Sequence, residues 1–171
     1  MRAIGWIRGR EEFGGLWNMI YSKSAEYAIR AFICLAGVPQ GQFVMAKNIA
    51  EQADIPSYFL AKILQQLARK GFLKSSKGPT GGFSLARPAS EISLLHIVDA
   101  VDGIQDYERC LGGMTECNDD APCGMHDSWK HMRRQILAYL EETSIAAVAE
   151  SAQQKRRALE RKGKARKSVK D

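Results

Sequence analysis

Between Ala46 and Leu67 the chain carries two short amphipathic stretches separated only by Ile55-Pro56-Ser57, and few folds accommodate that arrangement. Ala46, Ile49, Ala50 and Ala53 recur at helical spacing before the turn, and Leu60, Ile63, Leu64 and Leu67 recur after it. Pro56 lacks the N–H that a continuing helix would use, so the first helix must end by Asp54-Ile55 and a second begin at once. Two short helices across so tight a turn form a helix-turn-helix. Gly71 stops the second helix. Phe72 to Lys77, the run Gly78-Pro79-Thr80-Gly81-Gly82 and Phe83 to Arg87 then read as strand, glycine-rich turn and strand.

A helix precedes this unit, with Ser24 as N-cap, Ala25, Ala28, Ile29, Phe32 and Leu35 on one face, and a stop at Gly37 and Pro39. Another follows it, capped by Ser93, striped with Leu94, Ile97, Val98 and Val101, and stopped by Gly103. A longer helix runs from about Asp127 to Glu142, with Trp129, Met132, Ile136 and Leu140 spaced like a coiled-coil seam. A short Ala-rich helix follows Thr143-Ser144. The expected fold is mostly α: a winged helix-turn-helix with a β-hairpin wing, plus a long C-terminal dimerisation helix. The expected organisation is a leader over residues 1–18 without helical or strand period, the winged unit over 19–90, a loop and dimerisation helix over 91–150, and a basic disordered tail over 151–171.

The formal charge of +6 is unevenly distributed. Residues 19–90 carry nine basic against three acidic residues, residues 91–154 four against twelve, and residues 155–171 nine against two. A basic first half joined to an acidic second half points to a module for double-stranded DNA coupled to one that binds something else. Off its buried stripe, the second helix of the turn presents Tyr58, Ala61, Lys62, Gln65 and Arg69, with Ser57 at its start. A helix in the major groove reads base edges with its N-terminal residues, so Ser57, Tyr58 and Lys62 are the expected contacts. In the wing, Lys74, Lys77 and Arg87 supply charge, and Thr80 and Gly81 lie in a turn whose glycines permit close approach to a phosphate. Lys77, Thr80 and Gly81 complete the expected DNA-binding set, and a palindromic operator would reward a homodimer.

The loop ERCLGGMTECNDDAPCGMHDSW places Cys110, Cys117 and Cys123 within 14 residues, with His126 following the last after two intervening residues. Structural cysteines usually occur singly on apolar stripes, as Cys34 does. Three in a polar, glycine-containing loop argue for ligation. Three thiolates and an imidazole would satisfy zinc, but structural zinc sites favour a tight C-x2-4-C knuckle that is absent here. Iron–sulfur clusters need thiolates spread more widely and tolerate a non-cysteine ligand, which favours a cluster over zinc, with a bare dithiol switch third. With 171 residues, no nucleotide-binding glycine motif and no nucleophile–base pair, the chain does not read as an enzyme or electron carrier. No apolar run reaches the length of a membrane span and no secretory segment opens the chain, so a cytoplasmic location with reduced thiols is expected.

These motifs, in this order, resemble the Rrf-two family of bacterial winged-helix regulators, the group that includes IscR and NsrR, without matching any single branch of it. MIYSKSAEYAIRAF is similar to the family's N-terminal helix, IPSYFLAKILQQLARKGFLKSSKGPTGGFSLARP to its recognition helix and wing, and EISLLHIVDAVDG to the helix that follows. The resemblance covers about residues 19–150. It implies a homodimeric regulator, a repressor in the first instance, whose iron–sulfur cluster, 2Fe-2S or 4Fe-4S, senses redox state, nitric oxide or cluster supply. By the same resemblance Cys110, Cys117 and Cys123 are cluster ligands, Glu26 matches a carboxylate offered across the dimer, and His126 matches the histidine of the IscR-like branch. The chain offers both, so the fourth ligand stays open between Glu26 and His126.

Overall fold

The computed structural model describes residues 20–78, 81–114 and 117–168. The expected leader and Thr80 lie outside the described residues. The elements are α1 (Lys23–Ala36), α2 (Ala46–Ala53), α3 (Ser57–Arg69), β1 (Leu73–Ser76), β2 (Gly82–Leu85), α4 (Leu94–Val101), α5 (Gln105–Glu108), α6 (His126–Glu142) and α7 (Ile145–Ser168).

Helix α1 is the centre of the molecule. Ala25, Ala28, Ile29, Ala31, Phe32, Ile33, Cys34 and Leu35 are all buried, more than one face of a helix can hold. That breadth follows from its neighbours, because α2, α3, α4, α7 and β2 all pack on it. Its N-cap is Ser22, not Ser24: the Ser22 hydroxyl accepts from the Ala25 N–H at 3.1 Å. The Ser22 N–H donates to Asp102 Oδ2 at 2.7 Å, a bond that local sequence spacing cannot foresee.

The turn between α2 and α3 forms as the sequence dictates, with Asp54 in the left-handed conformation at φ 55°. Leu60, Ile63, Leu64 and Leu67 bury the inner face of α3. The hairpin pairs antiparallel with Leu73 opposite Leu85 and Ser76 opposite Gly82, and Val44 adds a bridge to Phe83 as a rudimentary third strand. Gly82 makes that bridge possible, since its φ is +144° and a Cβ there would collide with the Val44 carbonyl.

Ser93 caps α4 as expected, in a capping box: its hydroxyl accepts from the His96 N–H at 3.2 Å and His96 Nδ1 accepts from the Ser93 N–H at 3.1 Å. Two hydrogen bonds, Leu94 N–H to Thr143 O at 2.9 Å and Ile145 N–H to Ile92 O at 2.8 Å, fasten the start of α4 to the α6–α7 junction. One apolar core therefore runs from Ala25 to Ala149, through both the winged unit and the following segment. The largest departure from expectation is α7. It continues to Ser168, where composition pointed to a disordered tail and a short Ala-rich helix. Ile145 and Ala149 are buried and Val148 and Ala152 pack beside them, so its first turns are nucleated by the core and the rest propagates from a formed helix.

Candidate metal centre and nucleic-acid interface

The cysteine loop leaves α4 through the single turn α5 and returns at the N-terminus of α6. Cys110, Cys117 and Cys123 are each partly buried, whereas Cys34 is buried in α1. The loop brings the three thiols together. Cys110 receives backbone hydrogen bonds from Met114 and Gly112 and side-chain hydrogen bonds with Cys123 and Cys117, which hold its thiol below the ordinary range. Cys34 is the opposite case, pushed up to about 12 by burial. The Trp129 Nε1–H donates to Arg109 O at 3.0 Å and so pins the first strand of the loop to α6.

His126 is the first residue of α6 and is only 5% exposed. Its Nε2 lies 2.8 Å from Asp119 Oδ1 and its Nδ1 lies 3.5 Å from Cys117 Sγ. An ionised carboxylate only accepts, so in the neutral ring Nε2 carries the proton and the Nδ1 lone pair faces the thiols. Lys130, one turn along α6, holds both oxygens of Asp119 at 2.6 Å. Lys130 first and His126 second keep the Asp119 carboxyl below its ordinary value. The sequence reading missed Asp119 and Lys130. The signal available was the four-residue step from His126 to Lys130, which puts both on one helix face.

Glu26 has its partners on its own helix, Lys23 at 2.8 Å and Arg30 at 3.3 Å. Arg30 in turn donates to the Ala53 carbonyl and, at 3.2 Å, to the Asp54 carbonyl, which ties α1 to the turn before α3. Within one protomer the structure thus gathers Cys110, Cys117, Cys123 and His126, and sets Glu26 in a separate ion-pair group beside the helix-turn-helix. Among the described residues no group of three or more His, Cys, Asp or Glu is disposed to hold a single metal ion. The donor set of three thiols and an imidazole nitrogen nonetheless fits the ligand chemistry of an iron–sulfur centre.

Ser57, Tyr58, Phe59, Lys62, Gln65 and Arg69 are exposed along α3. Tyr58 is 66% exposed and carries the Lys62 ammonium 4.4 Å above its ring, so the two form one projecting unit. Lys74 and Lys77 are exposed on the wing. Gly81 is placed differently from expectation: it is buried, its N–H donates to the Gly78 carbonyl at 3.0 Å, and a Cβ there would strike the Ser76 carbonyl. It closes the turn, and its amide is already occupied. Arg87 also departs from the wing tip, lying 5.2 Å from the Phe72 ring at the base of the hairpin.

A family profile described as "Rrf2: Iron-dependent Transcriptional regulator" matches residues 21–151. The chain belongs to the Rrf2 family. A candidate HTH-type transcriptional regulator of Aquifex aeolicus is 35% identical over 129 residues, 74% of this chain and 89% of that protein. The HTH-type transcriptional regulator IscR of Serratia proteamaculans is 29% identical over 128 residues, 75% of this chain and 77% of that protein. Among solved structures, CymR, the global cysteine regulator of B. subtilis, shares the fold with a TM-score of 0.64 at 21% identity, covering 76% of this chain and 95% of that one. This Rrf2 protein is accordingly a winged-helix, DNA-binding transcriptional regulator and not an enzyme. Among the described residues no helix is long and apolar enough to cross a membrane.

Proposed function

We propose that the chain is a homodimeric, cytoplasmic repressor whose affinity for a palindromic operator is controlled by an iron–sulfur cluster held by Cys110, Cys117, Cys123 and His126. The observation that carries this reading is the convergence of three loop thiols beside a buried imidazole whose Nδ1 lone pair is turned toward Cys117 at 3.5 Å. The iron-dependent family description supports it. The Nε2–Asp119 contact orients the ring in the manner of carboxylate–histidine metal sites, which favours His126 over Glu26 as fourth ligand. Bound there, the cluster would supply a centre that responds to redox state, nitric oxide or iron supply.

The chain's own residues would transmit the change. The loop lies between α4 and α6, and α4 is tied to the recognition helix by the Gln66 Nε2–H donating to the Ala100 carbonyl at 3.1 Å. Fixing or releasing the loop therefore acts on the element on which α3 rests. In a dimer this would alter the spacing of the two recognition helices, about 34 Å for successive major grooves. Ser57, Tyr58 and Lys62 would read bases, and Lys77 a phosphate.

A second reading has its own support. The lowered pKa of Cys110 beside Cys123 and Cys117 also suits a thiol switch, or structural zinc, in the same loop. Titration of a duplex selected from a random pool, with the iron-loaded and iron-free forms at one salt concentration, tests the proposal. A difference of roughly 5- to 150-fold is expected, the usual range of allosteric coupling. Equal affinities would reject control by a cluster.

A further inference from the structure

We infer that the distal half of α7 is a second DNA-binding element, an arm that lies along the phosphate backbone of duplex flanking the site read by α3. Among the described residues the apolar core holds α7 through Ile145, Val148, Ala149 and Ala152, all in its first eight residues. From Gln153 to Arg161 every residue except the half-buried Arg156 is exposed, including Leu159 at 53%. The helix nevertheless continues to Ser168, past residue 151 where the family match ends.

Lys155 to Ser168 contains eight basic residues and one acidic residue, Glu160, which pairs with Arg156 at 3.4 Å. Fourteen helical residues span about 21 Å, so the seven uncompensated charges fall about 3 Å apart. One strand of B-DNA presents a phosphate about every 3.4 Å. Charge of opposite sign and comparable linear density points to a duplex backbone as the partner. Among the described side chains of this stretch, Leu159 is the one large apolar residue, too little for an apolar face to pack on protein.

The same pattern destabilises the arm by itself. Arg157 and Arg161 stand four residues apart and repel, and Gly163 weakens the helix further. A polyanion relieves the repulsion, so duplex binding and arm helicity support one another. The inference needs only the DNA-binding character of the family and is independent of any cluster.

The test uses the full chain and a variant carrying Arg157→Gln, Arg161→Gln, Lys162→Gln and Arg166→Gln, with random-sequence duplexes of 20 and 40 base pairs as probes. Fluorescence anisotropy across a salt series should give a slope of log K against log salt that is shallower by about 3 to 4 in the variant on the longer duplex. The loss should be smaller on the shorter one. A chain ending at Gln154, which loses more positive charge, should lower the slope at least as far, with unchanged dimer mass and core melting. Identical slopes for wild type and both variants would overturn the inference. So would an intact slope accompanied by loss of dimerisation, which would place the arm against the acidic segment of a second copy. Retention of the wild type, but not the variant, on phosphatidylglycerol vesicles with DNA binding unchanged would equally reject it.

Discussion

Met132 and Leu140 lie on the same stripe of α6, yet the structure buries them to different extents. Leu140 is 0% exposed and belongs to the core, whereas Met132 is 45% exposed. Burying a whole methionine side chain yields about 1.5–3 kcal/mol, so covering the exposed 45% yields about 0.7–1.4 kcal/mol. A two-fold interface counts the residue twice, giving about 1.4–2.7 kcal/mol, a factor of about 10 to 100 in the dimer constant. Met132→Ala should therefore weaken the dimer by that factor, and Met132→Asp by more, because each carboxylate would also be desolvated. Neither should lower the melting temperature of a dilute monomer. Leu140→Ala should do the reverse, costing about 2–5 kcal/mol of folding stability. Sedimentation equilibrium reads the first quantity and urea denaturation the second. A dimer constant unmoved by both Met132 substitutions would refute α6 as the dimer face.

Two further outcomes concern the loop. In folded, iron-free protein at neutral pH, iodoacetamide should label Cys110 before the other thiols, since its pKa is lowered, and should leave Cys34 untouched, since burial raises its pKa to about 12; peptide mass mapping against time checks the order. Asp119→Ala should release the His126 ring, changing the visible circular dichroism of iron-loaded protein and speeding cluster loss on dilution by about 10- to 100-fold, while Asp119→Asn should retain much of the orientation.

The winged unit was legible because its signals are local. Apolar spacing gave α1, α2, α3 and α4 their buried faces, Pro56 and Gly71 marked the breaks, and the hairpin followed from its glycines. What escaped depended on contacts distant in sequence or on context. Ser22 outcompetes Ser24 as the cap because Asp102, eighty residues away, accepts its N–H. Helix α5 is a single turn of QDYE, too short to show a period. The basic segment reads as disordered by composition, and its helix depends on the buried start of α7. The three cysteines and His126 were visible as a cluster of donors. Their orienting partners were not, because Asp119 looks like an ordinary loop carboxylate until its 2.8 Å contact with His126 is seen.

The most direct test of the central claim is the visible absorption spectrum of the full chain, purified anaerobically from iron-supplied cells, with iron, sulfide and zinc quantified on the same sample. The account predicts a brown protein with iron and acid-labile sulfide in equal amounts. Cys110→Ala, Cys117→Ala and Cys123→Ala should bleach it, and Cys34→Ala should not. A colourless protein holding one zinc per chain, or colour that survives the three loop substitutions, would contradict it.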